Sequence, residues 1–178
     1  INYAAVIVTL IFIFSCSNAN LAPKTIGHNQ YTSIWVGWFD LGEQNYKNLG
    51  YASQADWEYE IKNQNIVLQG YIRRHMKGWY VYGANTKADV PPENAGVIVI
   101  RFKNTVLDTS RTVKSTGNIS TDAEYIDATS KKVLKALDQK ELSAGLEYNV
   151  AWQTLYLRGR LNDAMYRIAY DIYYYMPQ

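Results

Sequence analysis

The sequence predicts an α+β domain in which two main helices pack on one face of a mostly antiparallel sheet. Short runs rich in β-branched and aromatic residues, at 32–39 and 97–102, indicate strands. Two longer segments carry apolar side chains at spacings of three and four residues, which is the pattern of an amphipathic helix. The predicted order is strand, helix, two strands, a hairpin or helix, a further candidate strand and a final helix.

The first predicted strand and helix follow each other closely. Residues 32–39 are expected to form a central strand. Ser53 is a good N-cap with Asp56 at the third helical position, and the helix extends to about Met76, where a basic residue and a glycine end it. Gly70, inside this helix, suggests a close approach to the sheet. The stripe repeats at spacings of four, three, four and four: Trp57, Ile61, Gln64, Leu68 and Ile72.

Two strands and a continuation of the second are predicted in the middle of the chain. Residues 79–82 form a short one, and the loop 84–96 that follows carries two adjacent prolines. Residues 97–102 are the most apolar strand and are expected to be covered on both faces at their start. Residues 105–113 alternate in polarity and are expected to continue the sheet as an exposed strand.

The segment 117–138 has two interpretations. A helix capped by Thr121 would align side chains at near-helical spacing, namely Ile126, Thr129, Val133 and Leu137. A hairpin would instead use strands 123–128 and 132–136 joined by a turn at 129–131. The hairpin is favoured because the turn-forming residues would otherwise lie in the middle of a helix.

The chain is expected to close with a helix over 161–175. Asn162 is a plausible N-cap, and Pro177 stops the helix. Its apolar stripe repeats at four, three, four and three: Leu161, Met165, Ile168, Ile172 and Tyr175. The start of the helix could lie earlier, near Tyr148, although the alternation over 148–156 also fits a strand.

Cys16, the only cysteine, marks the end of an apolar leader. The uncharged stretch before it has the length of a signal-peptide core, roughly 7–15 residues, and is shorter than the ~20 residues of a spanning helix. A branched residue three positions before the cysteine and Ser15 directly before it fit a bacterial lipoprotein signal. The predicted organisation is a signal over 1–16 that ends at an acylated Cys16, a polar tether over 17–30 and one domain over 31–178.

Two other interpretations of the leader remain open. It could be an ordinary secretory signal cleaved near Ala19 or Ala22, with an incidental cysteine. It could also be an uncleaved anchor. With one cysteine no disulfide can form within the chain, so the domain must depend on its core, and acylation suits Cys16 better than redox or metal chemistry.

Composition limits the class of function. A net charge of +2 without a block of one sign argues against a nucleic-acid binder. The basic group Arg73-Arg74, with His75 and Lys77, is expected to be the solvated end of a helix. The 16 tyrosines suit a sheet protein with broad contact surfaces, because the ring packs on one side and the hydroxyl faces water or a partner.

No catalytic, metal or cofactor site is predicted. The two histidines, His28 and His75, have no partner at metal-ligand spacing, and neither a G-x-S-x-G nor a phosphate-binding P-loop motif occurs. The acids Asp56, Glu58 and Glu60 cluster in the first turns of a helix, where they complement its dipole.

Aromatic residues give the remaining indications of binding. The five tryptophans could include a pair that stacks on a sugar, although most are expected to lie in the core: Trp35, Trp38, Trp57, Trp79 and Trp152. Tyrosines surround the last helix, so a partner surface is predicted at Tyr170, Tyr173 and Tyr174.

The chain resembles the small bacterial outer-membrane lipoproteins of the curli-secretion and penicillin-binding-protein-activator group. The similarity is carried by the signal ending at Cys16, the apolar strand 97–102, the phrase Tyr-Ile-Asp-Ala-Thr-Ser-Lys-Lys-Val-Leu over 125–134, and the final helix 161–175. Members of that group scaffold envelope machines and bind other proteins. The resemblance implies that role and no functional residue beyond Cys16.

Two functions are therefore expected from the sequence. The first is a non-enzymatic lipoprotein at the bacterial outer membrane, on its periplasmic or surface face, that takes part in an envelope complex with other proteins or with copies of itself. The second is a module that binds a glycan or small ligand through exposed tryptophan and tyrosine.

Overall fold

Two helices and six strands make up the part of the chain that the structure describes. This computed structural model describes residues 30–177 except 43, 45, 48, 109–116 and 147–152, and the side chains of 158–177 but not of 153–157 in the last helix. In chain order the elements are β1 Ser33–Val36, α1 Gln54–His75, β2 Tyr80–Gly83, β3 Val97–Asp108, β4 Gly117–Asp127, β5 Val133–Leu137, β6 Ser143–Leu146 and α2 Gln153–Tyr174.

The sheet is mixed, with its strands in the order β2-β1-β3-β4-β5, and β6 pairs with β4. The short strand β1 lies between two parallel neighbours: Ser33 is in register with Tyr80 of β2 and with Val97 of β3. The other pairings, β3–β4, β4–β5 and β4–β6, are antiparallel. The predicted α+β class is confirmed, and the parallel pairs arise because α1 connects β1 to β2 as a crossover.

The two faces of the sheet are covered differently. Alternate strand residues such as Ile34 and Ile100 face the main core, which includes the buried residues of both helices. Trp35 and Val99 face the other way, into a smaller buried cluster with no helical member among the described residues. Helices on one face only were predicted, and this is confirmed. The predicted strand over 97–102 is covered on both faces at its start, over 97–100, as predicted, whereas Arg101 is exposed.

Helix α1 forms where the sequence predicted it. Ser53 is the N-cap, and its hydroxyl accepts a hydrogen bond from the backbone amide of Asp56 at 3.1 Å. All five members of the predicted stripe are buried. The expectation for Gly70 was wrong, because a methyl group there would meet no atom within 4 Å.

The hairpin predicted within 117–138 is confirmed as β4 and β5, and the helical alternative is wrong. Asp127 holds the turn: its carboxylate accepts bonds from the Ser130 amide at 2.6 Å and from the Tyr31 hydroxyl at 2.7 Å. The Ser130 amide, followed by the Tyr31 hydroxyl, lowers the pKa of Asp127 to about 2. The same contact and burial raise the pKa of Tyr31 to about 12, with burial the larger cause.

The other strands differ in length from the prediction. β1 covers half of 32–39, and β3 extends from the predicted strand through to Asp108 with a bulge between Lys103 and Val106. The exposed strand predicted over 105–113 is thus the end of β3 as far as 108, and 109–113 lie outside the described residues. β6 was not predicted, because four residues carry too little periodicity to distinguish a strand.

Helix α2 begins at Gln153, well before the predicted 161. Asn162 is therefore not an N-cap. It lies inside the helix, and its side-chain carbonyl accepts a hydrogen bond at 2.9 Å from the Gln64 amide of α1. The strand alternative fails over 153–156, which are helical, and 148–152 lie outside the described residues.

The two helices pack side by side and run in the same direction. Near their starts Arg158 of α2 donates to the carboxylate of Glu60 in α1 at 2.8 Å, and near their ends the rings of His75 and Tyr173 stack with centroids 5.9 Å apart. Glu60, predicted as one of the acids at the helix start, is completely buried and also accepts a bond from Gln64 at 2.7 Å. This pairing offsets the cost of burying its charge.

A buried asparagine joins α1 to the segment that leaves β1. The Asn65 side chain accepts from the Phe39 amide at 2.7 Å and donates to the Phe39 carbonyl at 3.0 Å. It also donates to the carbonyl of Ile61, one turn earlier, at 2.9 Å. Asn65 is 2 % exposed, so no water can replace it as partner of the Phe39 backbone.

We expect Asn65→Ala to lower the free energy of unfolding by roughly 2–4 kcal/mol, because two backbone groups of Phe39 would lose their buried partner. Urea denaturation followed by circular dichroism measures this. The matched control, Asn63→Ala, removes a half-buried asparagine from the same helix. Equal stability of the two variants would contradict the structural role of Asn65.

Candidate functional site

A groove lies on the sheet face that the helices leave free. β1 separates β2 from β3, and all three run parallel, so the connection 84–96 has to cross β1. Ala84 belongs to the buried cluster of Trp35 and Val99, which places this connection on the face away from α1. The groove therefore forms beyond the carboxyl end of β1, the usual place for a ligand in a sheet whose connections leave in opposite directions.

The groove has a volume of about 460 Å³, within the range of small-molecule sites. Trp35 lies almost buried at its floor, and the half-buried Trp38 borders it. Polar side chains on the lining come from the β1 exit, the 84–96 connection and the far half of β3: Asp40, Lys87, Asp89, Arg101, Lys103, Asn104 and Thr105.

Gly37 sets the path of the chain between the two tryptophans. Its amide donates to the Ile100 carbonyl at 2.8 Å, and a methyl group on Gly37 would lie 2.7 Å from that same oxygen. Side chains larger than hydrogen do not fit this approach. The tight contact with β3 brings Trp38 against the rim of the groove.

One ion pair connects opposite walls of the groove. Lys87, on the crossing connection, lies 2.5 Å from the carboxylate of Asp40, which also accepts a bond from the Gly42 amide at 3.0 Å. Partial burial raises the pKa of Asp40, but the contacts with Lys87 and Gly42 outweigh it and the net shift is downward. Because Lys87 is largely exposed, the pair contributes little to stability.

Asp89 organises the start of the crossing connection. Its carboxylate accepts bonds from the Thr86 hydroxyl at 2.7 Å and from the Asn85 amide at 2.8 Å. These bonds, led by the one from the Thr86 hydroxyl, lower the pKa of Asp89. The connection thus has a defined turn beside the groove without secondary structure of its own.

The β3 wall carries two cations that share one carboxylate. Lys103 lies 2.5 Å and Arg101 3.7 Å from Glu124 on the neighbouring strand. Directly after Lys103 the strand bulges, and Asn104 adopts a positive φ of 49° while its amide binds Asp122 at 2.6 Å. Bulges of this kind re-aim side chains next to functional sites.

The groove combines charged side chains that are already paired with an aromatic surface. The Lys87 ammonium and the Arg101 and Lys103 cations each face a carboxylate within 4 Å. These paired charges can donate to and accept from hydroxyl groups, while the tryptophan rings offer an apolar face.

The structure brings together some of the predicted aromatic residues. Trp35 and Trp38 share the groove, whereas Trp57 is completely buried in the main core and Trp79 packs against that core beside β2. Trp152 lies outside the described residues, as does Cys16. The charged groove residues were not predicted, because they are distant in sequence and only the β2–β3 crossover juxtaposes them.

The predicted partner residues lie near one another at the end of α2. Tyr170 and Tyr174 are parallel with centroids 6.4 Å apart, and Tyr173 stacks on His75. Tyr174 is 47 % exposed, while Tyr170 and Tyr173 are half-buried. The sequence predicted that the last turn of α1 is solvated, and this holds only in part because His75 packs against these rings. Its burial there lowers the pKa of His75.

Within the described ranges, no group of histidine, cysteine, aspartate and glutamate side chains is arranged to hold a metal ion. His28 lies outside those ranges. A search of the same residues finds no helix with the length and hydropathy needed to cross a bilayer.

Comparison with known proteins gives distant structural similarity alone. No family model matches the chain, and no curated protein matches it either. A crystal structure of a protein from Helicobacter pylori, named as a homolog of a neuraminyllactose-binding hemagglutinin, aligns with 84% of this chain and 87% of its own, at 11% sequence identity and a TM-score of 0.46.

We expect Gly37→Ala to destabilise the fold by about 1–3 kcal/mol, because the added methyl group would force β1 and β3 apart. Thermal and urea unfolding measure the change. Gly145→Ala is the matched control, since a methyl group at that strand position meets no atom within 4 Å. Two equally stable variants would contradict the close approach at Gly37.

Proposed function

We propose that this domain is a non-enzymatic binding module that takes a neutral carbohydrate in the groove over Trp35 and Trp38. The observation that carries the proposal is an aromatic surface bordered by charged side chains that already face opposite charges. Each of these two features favours a different part of a sugar.

The aromatic part of the groove suits the apolar face of a sugar ring. Trp38 is half-buried, so one part of its indole is held by the core while another remains accessible. The Gly37 backbone contact fixes its position, so little conformational entropy is lost on binding. A flat C–H face of a pyranose can pack on such a ring.

The charges favour a neutral ligand over an ionic one. An acidic sugar would have to compete with Asp40 for Lys87 or with Glu124 for Lys103. A basic sugar would have to compete with these lysines for the same carboxylates. Hydroxyl groups can instead bind to both members of each pair, which leaves the pairs intact. The groove residues thus supply directional bonds without selecting for net charge.

We also propose that the domain is held at a bacterial outer membrane by acylation of Cys16, as the leader sequence predicts. Residue 30 leads into β1 at its amino end, and the groove lies beyond the carboxyl end of β1. A tether that enters there would leave the groove accessible. A second candidate function is a structural role in an envelope complex. The exposure of Tyr174 supports it, and the contact would be made through Tyr170, Tyr173 and Tyr174.

A panel of neutral and acidic oligosaccharides, followed by calorimetry on the best binder, tests the groove. We expect a neutral oligosaccharide to bind, and Trp38→Leu to weaken it roughly tenfold or more because the stacking surface is lost. Trp79→Leu is the matched control, since it makes the same change to a half-buried tryptophan near the start of β2. Binding of acidic sugars alone, or none, would overturn the proposal.

Mass spectrometry of the native protein tests the anchor. We expect the peptide that contains Cys16 to carry added acyl mass, and the protein to need detergent for extraction from membranes. Cys16→Ser should release it. A native Cys16 with an unmodified thiol would contradict the anchoring proposal and would leave the groove experiment unaffected.

A further inference from the structure

The end of the domain opposite the groove combines tyrosines with cations. Here α1 and α2 both finish, β1, β2 and β3 begin, and the β4–β5 turn closes. We call this end the basal surface. Its described residues are 71–80, 131–135 and 170–176.

Cations outnumber carboxylates at this end. The ranges that define this end contain one carboxylate, Asp171, with Glu93 and Asp127 beside them, and six cations: Arg73, Arg74, Lys77, Lys131, Lys132 and Lys135. The carboxylate of Glu93 pairs with Lys131 at 3.0 Å, and that of Asp127 is taken up by its turn and by Tyr31. The chain as a whole carries only +2, so positive charge is concentrated here.

The aromatic rings lie among these cations and are partly open to solvent. Tyr80 is 69 % exposed and Tyr174 is 47 % exposed. Arg74 lies over the ring of Tyr71 at 5.5 Å, and Lys135 lies over the ring of Tyr175 at 5.2 Å. Exposed tyrosine residues and rings that cations cover together form an amphipathic surface.

We infer that the basal surface docks on an anionic lipid bilayer. Tyrosine rings settle at the level of lipid headgroups, where one end of the ring is apolar and the other is wet. Lysine and arginine beside them are attracted to anionic headgroups. The cations that separate the exposed rings are the feature that favours an anionic surface.

The path of the chain supports the same occupant. Residue 30 enters the domain at the amino end of β1, which belongs to this end of the molecule. The docking surface is therefore next to the point where the chain that follows Cys16 enters the described domain, and the groove lies at the opposite end. The inference rests on the surface chemistry and stands whether or not Cys16 is acylated.

The test uses the full chain with Cys16→Ser in every sample, so that no acyl group contributes. Co-sedimentation with phosphatidylcholine vesicles, with and without phosphatidylglycerol, measures the partition coefficient. We expect binding to rise with phosphatidylglycerol and to fall with salt. Lys77→Glu/Lys132→Glu should lower the partition coefficient at least tenfold, because each cation near an anionic surface strengthens binding about fivefold.

Matched controls separate docking from general charge and aromatic effects. Lys62→Glu/Lys140→Glu makes the same change of charge at exposed lysines away from the basal surface, and should bind as the parent does. Tyr80→Ser should weaken binding, whereas Tyr59→Ser should not, although Tyr59 is 62 % exposed near the start of α1. Circular dichroism confirms that each variant is folded.

Hydrogen–deuterium exchange locates the contact independently of the leader. Anionic vesicles should protect peptides that cover 71–80 and 170–176, and should not protect 84–90 beside the groove. The inference is overturned if no vesicle binds, if both charge variants bind equally, or if basal peptides gain no protection. If the protein does not bind vesicles but forms a dimer that Tyr80→Ser dissociates, the surface belongs to an interface with a second copy, and the inference is likewise overturned.

Discussion

The position of β1 is the constraint on which the rest of the structure depends. This strand has four residues, pairs on both edges and is buried on both faces. Its neighbours approach so closely that glycine is required at Gly37, on the exit from β1, and at Gly83, where a methyl group would lie 2.5 Å from the Val36 carbonyl. Because β1 lies between two parallel strands, the connection 84–96 has to cross β1 on the face away from α1, and that connection borders the groove.

Buried polar groups make the packing of the helices specific. Asn65 binds the Phe39 backbone, and the Glu60 carboxylate pairs with Arg158 and Gln64. A buried polar group that lost its partner would cost more free energy than its hydrogen bond contributes. Only one arrangement of α1 on the sheet and on α2 satisfies all of these groups. The parallel helices that result place both carboxyl ends at the basal surface.

The two proposals concern opposite ends of the structure. At one, loops that leave the carboxyl ends of β1 and β2 surround the tryptophans. At the other, the helix ends supply cations and tyrosines, and the chain enters the domain. Under the two proposals a carbohydrate would bind at the end that faces away from a bilayer, and the two proposals can fail separately.

The sequence by itself determined the class of fold, because hydrophobic periodicity and caps are local: the Ser53 cap, the stripe of α1 and the hairpin turn at Asp127 all follow from neighbouring residues. It also predicted that tryptophans could pair, without identifying Trp35 and Trp38. Only the tertiary structure decided that Asp40 meets Lys87 and that Asn162 faces Gln64 rather than capping a helix. Those contacts join residues 47 and 98 positions apart, and no local pattern encodes a distance of that kind.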